Sequence, residues 1–380
     1  MDRTLLLDRE NGKTCAALLE KGRLVQYIRD GDEPAPGSVY LGRVQRVLEG
    51  LGGAFVDIGL GKNGLISGGD LPKEENGETL IKQGMELPVQ VLKTPGGEKG
   101  AQLSANIRLA GRNAVLLPNS LNLGVSRRVS DESERERLRK LGETLCPKGM
   151  GLILRTQATK ASRAELAGEI DALVSVWSGI ETKTRHLKAP ALLLDESKAA
   201  FVAAREISFD ADTKIISRDQ SLLDELAGRF EGGLPCVSSV EDNDLLTVYR
   251  VRAQLENAKK RRVNLKCGGY LVFDDTEAMR VIDVNSGSFA GKDAEDTAYR
   301  LNLEAAEEIA VQARLRNLVG IIVIDFVDMR DKAHRGSVVE QLIRAFAPDT
   351  GRVAINPLST LGLCEMTRQS RYAAASDGEE

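Results

Sequence analysis

Histidine is almost absent from this chain: only His186 and His334 occur in 380 residues. Both lie in polar segments and read as surface residues, and no Gly-x-Ser-x-Gly elbow is present. Histidine-based acid/base chemistry and serine hydrolysis therefore find little support, and metal-activated water is the better fit for any hydrolytic role. Cysteine is scarce as well. Cys15, Cys146, Cys236, Cys267 and Cys364 lie far apart with no CxxC pair, which excludes a disulfide framework and leaves them as reduced small hydrophobes. No apolar run is long enough to span a bilayer, and the one in MDRTLLLDRENG is too short for a signal peptide. A cytoplasmic location without membrane contact is the expectation. The formal net charge of −4 makes the molecule no polycation, so any nucleic-acid site must arise from local segregation of charge.

The length predicts several compact units. Residues 1–37 form a hairpin-rich piece, with strands Thr4–Asp8, Thr14–Leu19 and Leu24–Ile28 around turns at Asn11-Gly12 and Lys21-Gly22. It is small for an independent core and is expected to pair with something distant. Residues 38–105 carry short alternating strands with regular glycines, the pattern of a small barrel. The run Gly53-Ala54-Phe55-Val56-Asp57-Ile58-Gly59 and the later Gly64-Leu65-Ile66 resemble an S1-type RNA-binding domain, a relative of the OB-fold. Phe55 is the candidate for base stacking, with Lys62 and Lys99 for phosphate, and ordinary barrel core is the competing reading of Phe55. GLGKNG lacks the first glycine and the final Ser/Thr of a phosphate loop, and that reading is rejected.

Residues 106–190 read as strands Ala114–Leu117 and Gly151–Leu154 with helices Ser133–Leu145 and Ser162–Trp177, the second opened by a capping box at Ser162–Glu165. Arg155 and Thr156, Lys160 and the capped helix start make an anion pocket, with Arg127 and Arg128 adding charge if they fold nearby. Exposed arginines on a solvated loop are the alternative. Residues 191–262 alternate apolar runs with helical patterns and end in a helix bearing Lys259-Lys260-Arg261-Arg262. That basic run reads chiefly as a complement to a helix C-terminus, with RNA contact the minor alternative.

Residues 263–370 hold the candidate chemistry. An apolar run to Val284 stops at Asn285-Ser286-Gly287, a helix capped by Asp293 follows, and Ile321–Ile324 then gives a strand that reads as covered on both faces. Two strands joined by a helix are most simply parallel, so Asp283 and Asp325 would sit at carboxyl ends pointing the same way, with Asn285 on the same face. Two such carboxylates could share one hard cation. Either acid alone could equally cap a turn.

The segments VIDVNSG, NLEAAEEIAVQARLRNLVGIIVIDFVDM and LSTLGLCEMTRQ closely resemble the catalytic region of the ribonuclease E/G family of bacterial endoribonucleases, and the likeness runs over nearly the whole chain. It implies an α/β and β multidomain architecture. An RNase H-like fold (1–37 with 191–262) is interrupted by an S1 barrel (38–105) and a 5′-sensor domain (106–190). A DNase I-like α/β catalytic domain (263–370) and a disordered tail (371–380) follow. It also implies Mg²⁺-dependent cleavage of single-stranded RNA, leaving a 5′-phosphate and a 3′-hydroxyl, in ribosomal and transfer RNA processing and mRNA decay. The family's metal-binding aspartates fall on Asp283 and Asp325 and its catalytic-site asparagine on Asn285. Its 5′-monophosphate sensor falls on Arg155 and Thr156, with Val115 in the supporting wall and Arg127 and Arg128 alongside; its S1 contacts fall on Phe55 and Lys99. Leu65 stands where the family has a second S1 aromatic. Longer members carry a Cys-Pro-x-Cys zinc link that this sequence does not match, so no zinc is expected and a homo-oligomer would be held by other contacts. A non-catalytic RNA-binding or ribosome-assembly factor and a DNA nuclease remain the rival readings.

Overall fold

Three strands, β1 (Arg3–Glu10), β2 (Lys13–Glu20) and β3 (Arg23–Arg29), open the computed structural model as two tight hairpins. The model describes residues 3–31, 35–48, 52–71, 81–93, 100–207, 213–229, 237–239, 244–349 and 351–369. Both hairpin turns hold two successive residues at positive φ, Asn11 and Gly12 at 51° and 77°, Lys21 and Gly22 at 50° and 76°. That geometry matches the twist of the flanking strands.

A barrel follows. Strands β4 (Val39–Leu48), β5 (Gly53–Asp57), β6 (Gly64–Ile66), β7 (Glu86–Lys93) and β8 (Gln102–Ser104) pair in the order β4-β5-β6-β8-β7, and β7 returns to β4 to close the ring. Val44, Ala54, Val56, Ile66, Val89 and Leu103 fill it. Gly64 has no tolerance for a side chain, because a Cβ there would lie 2.4 Å from a Leu103 methyl.

The third unit is a four-stranded sheet. It comprises β9 (Leu109–Ala110), β10 (Ala114–Leu117), β11 (Leu123–Val125), helix α1 (Glu132–Leu145), β12 (Gly151–Leu154) and helix α2 (Arg163–His186). Ser162 and Glu165 form the expected capping box. α2 outruns its expected end at Trp177 by two and a half turns, closing on Lys183, Arg185 and His186 in the last turn, where the helix dipole favours cations. Buried Glu169 on α2 accepts from Asn113 N (2.8 Å), Asn113 Nδ2 (2.7 Å) and Ala114 N (3.1 Å), which fixes the start of β10.

The chain then returns to what it left open. β13 (Ala191–Leu194) pairs antiparallel with β4, so this apolar run belongs to the barrel sheet and not, as its sequence position suggested, with the N-terminal strands. After α3 (Ala199–Glu206), β14 (Thr213–Ser217) lies parallel to β1 in the register Arg3↔Thr213 to Leu7↔Ser217. With α4 (Gln220–Arg229) and β15 (Val237–Ser239) this completes a five-stranded sheet, β15-β14-β1-β2-β3. Leu5, Leu7 and Leu18 pack on α3 and α4; Leu6, Ala17 and Leu19 pack on α5 (Leu245–Val248) and α6 (Val251–Lys259). Covering both faces explains why these strands read as continuous apolar runs.

The last unit contains β16 (Arg262–Asn264), β17 (Tyr270–Asp275), β18 (Arg280–Asn285), α7 (Ala294–Leu315), β19 (Gly320–Asp325), α8 (Lys332–Phe346), β20 (Arg352–Ile355) and β21 (Leu363–Gln369). Its sheet order is β16-β17-β18-β19-β21-β20, and β18 and β19 are parallel neighbours. Both helices pack on one face, burying Leu271, Ile282, Val284, Ile322, Ile324, Cys364 and Met366. The opposite face is open. The expectation of a strand covered on both sides fails here, since Ile321 is 49% exposed and Val323 only half-buried. Arg262 begins a strand of this sheet, whereas the helix before it ends at Lys259; the basic run is thus only in part a helix terminus.

Candidate active site and RNA interface

Asp283 faces outward on the open face of β18, two residues before its end, and Asp325 does the same at the end of β19. The two are direct partners in the parallel ladder. Neighbouring strands lie about 4.8 Å apart and paired residues share a face, so the carboxylates stand side by side. Asn285, two residues on, donates from Nδ2 to Asp283 Oδ2 at 2.8 Å. Asp283 and Asn285 are half-buried and Asp325 is exposed. Partial burial first, then the charges of Asp283 and Asp328, push the Asp325 carboxyl above the usual aspartate range. Two oxygen-donor side chains in mutual repulsion suit a hard cation, which would offset that charge. Among the described residues no three His, Cys, Asp or Glu gather into a metal cage; Asp283 and Asp325 are the candidate protein ligands.

Helix α7 holds the loops that follow both aspartates. Asp293 caps it, accepting from Asp296 N at 2.8 Å, and Asp296 in turn accepts from Lys292 N at 2.9 Å in the loop after Asn285. On the other side Asn302, wholly buried, donates to Val327 O at 2.8 Å and accepts from Val327 N at 3.1 Å, pinning the chain two residues beyond Asp325. Glu295 accepts from Arg330 N (2.9 Å) and Asp331 N (3.2 Å) and contacts His334 Nδ1 at 2.9 Å. Those backbone N–H groups and then His334 hold the Glu295 carboxyl below its ordinary range. His334 also stacks on Tyr299, with ring centroids 4.0 Å apart. It is a half-buried strut of the loop, contrary to the surface role its polar neighbours suggested; His186 is exposed as expected. Asn302 was not singled out from the sequence, and Glu295 only as an acid favoured in the first turn of its helix. A signal existed for Asn302, a polar residue inside the apolar stripe Ala298, Leu301, Ala305 and Ile309.

The expected RNA contacts are distributed over two other units. Ala54 and Val56 are buried in the barrel, so Phe55 between them points outward and is half-buried. It pairs with Arg46 on β4 and with Leu65 on β6, which is 37% exposed. That orientation favours the stacking surface over the core reading. Lys99 and the 371–380 tail lie outside the described residues. Arg155 N donates to Asn113 O at 2.7 Å and Arg155 Nη1 to Gly111 O at 2.6 Å, while Thr156 Oγ1 lies 3.2 Å from Ser126 Oγ. Arg128, Arg155 and Thr156 line one cleft of about 420 Å³, whose far wall includes Gln26 and Arg314. Arg127 is exposed and Val115 half-buried in β10, and neither reaches that lining.

The fold and site together describe a nuclease-type α/β layer joined to an RNA-binding barrel, and comparison with known proteins agrees. The family model described as "Ribonuclease E/G family" matches residues 108–371, and the "S1 RNA binding domain" model matches residues 33–106. Ribonuclease G of Escherichia coli is 36% identical over 392 aligned residues, covering 97% of this chain and 80% of that enzyme. Ribonuclease G of Haemophilus influenzae is 35% identical, covering 96% and 79%. Ribonuclease E of a Nostoc species is 37% identical over 93% of this chain but only 54% of its own length. The chain belongs to the ribonuclease E/G family. Among the described residues no helix is long and apolar enough to cross a membrane.

Proposed function

We propose that the protein is an Mg²⁺-dependent endoribonuclease that hydrolyses single-stranded RNA in the processing of ribosomal and transfer RNA and in mRNA decay, and that a 5′-monophosphate stimulates it. Family membership supports an endoribonuclease whose chemistry depends on a metal. The observation that carries the site assignment is the Asp283↔Asp325 register, with Asn285 fixed 2.8 Å from Asp283.

In this reading Asp283 and Asp325 hold the cation. When bound, it supplies Lewis-acid stabilisation of charge developing on the scissile phosphate and activates water for attack at phosphorus. Asp283 and Asp325 set where that charge is neutralised, and the open sheet face leaves the approach clear for an extended strand. Asn285 fixes the orientation of Asp283 and keeps an amide edge beside the phosphate. The β18–β19 ladder sets the separation of the two carboxylates, and α7 fastens the loops that follow them through Asp296 on one and Asn302 on the other. Water adds to phosphorus as the 3′ oxygen departs, leaving a 5′-phosphate on one fragment and a 3′-hydroxyl on the other. Outside the site, Phe55 offers a face to a base, and Arg155, Thr156 and Arg128 line a cleft with donors suited to a terminal phosphate.

Purified protein and its Asp283→Asn and Asp325→Asn variants are incubated with a single-stranded oligoribonucleotide, with Mg²⁺ or with EDTA. The parent cleaves only with Mg²⁺, and both variants bind RNA without cleaving it. Mg²⁺-dependent cleavage by either variant would sink the assignment. Substrates with 5′-monophosphate, triphosphate or hydroxyl ends test the sensor: Arg155→Ala erases a preference for the monophosphate that the parent shows.

A further inference from the structure

Two side chains on the open catalytic face, Arg262 and Tyr270, have no role in the site described above; Arg262 belongs to the basic run for which RNA contact is the minor alternative. Arg262 pairs with Val272, and Val272 pairs with Asp283, so these three occupy one row across β16, β17 and β18. Tyr270 pairs directly with Asn285 in the adjoining row. Paired residues share a face, which places the Arg262 and Tyr270 side chains on the carboxylate side of the sheet, Arg262 about two strand spacings, or 10 Å, from Asp283. The guanidinium carbon of Arg262 lies over the Tyr270 ring, 3.7 Å from its centroid. Arg262 is exposed; among the described residues its one side-chain hydrogen bond runs from Nε to Asn264 Oδ1 at 3.2 Å, and it forms no ion pair. A second close arginine-on-ring contact in this unit is unlike it. Arg316 lies 3.9 Å from the Phe273 centroid, is partly buried, and spends its donors on Lys260 O and Gln312 Oε1.

The turn that follows Asn285 passes close to the same ring. At Gly287, which has φ +55°, an added Cβ would lie 2.5 Å from Gly268 O and 3.3 Å from Tyr270 Cδ1, so only glycine fits between the turn and the ring.

We infer that Arg262 and Tyr270 form a stacking platform for the base of a nucleotide flanking the scissile phosphate in single-stranded RNA. An arginine plane already ordered on an aromatic ring presents its outer face to a base at little further entropic cost, and its unused N–H groups reach the adjoining phosphate. The inference rests on the endoribonuclease reading of the carboxylate pair.

The test uses the cleavage-silent Asp283→Asn protein and oligoribonucleotides with an abasic nucleotide at successive positions around the cleavage site. Binding weakens about tenfold when one position flanking the site is abasic. With Arg262→Ala or Tyr270→Ala added, binding to intact RNA is weaker by a similar factor and the abasic penalty disappears. Tyr270→Phe, which keeps the ring, rescues both. Arg262→Lys, which keeps the charge and loses the plane, behaves as Arg262→Ala. An abasic penalty that survives Arg262→Ala, full rescue by Arg262→Lys, or no penalty near the site would each overturn the platform. If the parent fails to cleave RNA at all, it is the catalytic reading that falls, and the binding profile still reports on Arg262 and Tyr270.

Discussion

The side-chain amide of Asn302 replaces a β-ladder partner for Val327, giving a hydrogen bond to its carbonyl and taking one from its N–H. A wholly buried polar group committed in this way is expensive to lose. Asn302→Ala is expected to lower kcat for RNA cleavage at least tenfold with KM little changed, and to destabilise the fold by about 2 kcal/mol. Asn302→Asp, which retains only the acceptor, falls between. Steady-state kinetics beside thermal melts separate the two effects; a loss of stability with kcat intact would make Asn302 purely structural.

Asn285 gives a sharper local prediction. Asn285→Ala removes the bond to Asp283 and is expected to lower cleavage about 10- to 100-fold, the usual cost of losing a partner that orients a metal ligand. RNA binding measured in EDTA is expected to stay at the parent value.

The barrel can be changed in both directions. Phe55→Ala removes the outward aromatic, and binding of a single-stranded oligoribonucleotide is expected to weaken about tenfold. Leu65→Phe places a second ring directly across the strand pair from Phe55, where directly opposed residues touch, and is expected to tighten binding. Fluorescence anisotropy at fixed salt reads both changes.

Sequence legibility followed how local each signal is. The expected strands of the first and third units and the helix starts of the third lie close to the observed ones because Asn11-Gly12, Lys21-Gly22 and the Ser162–Glu165 box act over a few residues, while the end of α2 carries no such local signal. The Asp283–Asp325 pairing was legible because a strand, a helix and a strand in succession leave few arrangements. Ile321 and Val323 misled, since an apolar run does not say whether its second face meets a helix or the substrate side. β13 misled for a related reason: nothing within Ala191–Leu194 says that its partner is Leu41. His334 lay in a polar segment whose burial comes from α7, distant in sequence. The conformations of Arg155 and Arg128 around one cleft depend on three units meeting, which no local pattern encodes.

Cysteine reactivity follows from burial. Cys15 is fully buried and its thiol is pushed up to about 12, chiefly by desolvation; Cys364, also buried, is pushed up to about 11, again chiefly by desolvation. At pH 8 both remain protonated, so neither offers the thiolate that reacts. A disulfide exchange reagent is expected to spare both in the native protein and modify both in denaturant. Mapping the labelled peptides by mass spectrometry checks this, and native labelling of Cys15 would contradict the packing of β2.

The parallel pairing of β1 with β14 has a consequence for synthesis. β1 leaves the ribosome with β2 and β3, yet its other edge finds no partner until Thr213–Ser217 has been made. The intervening stretch is roughly 200 residues, and at about 5–20 residues per second the wait is on the order of 10–40 s. Through that interval a leucine-rich strand presents an unpaired edge, the feature most prone to wrong partners. The barrel and the third unit can fold in the meantime, so the sheet begun by β1–β3 is completed only after two units made later in the chain.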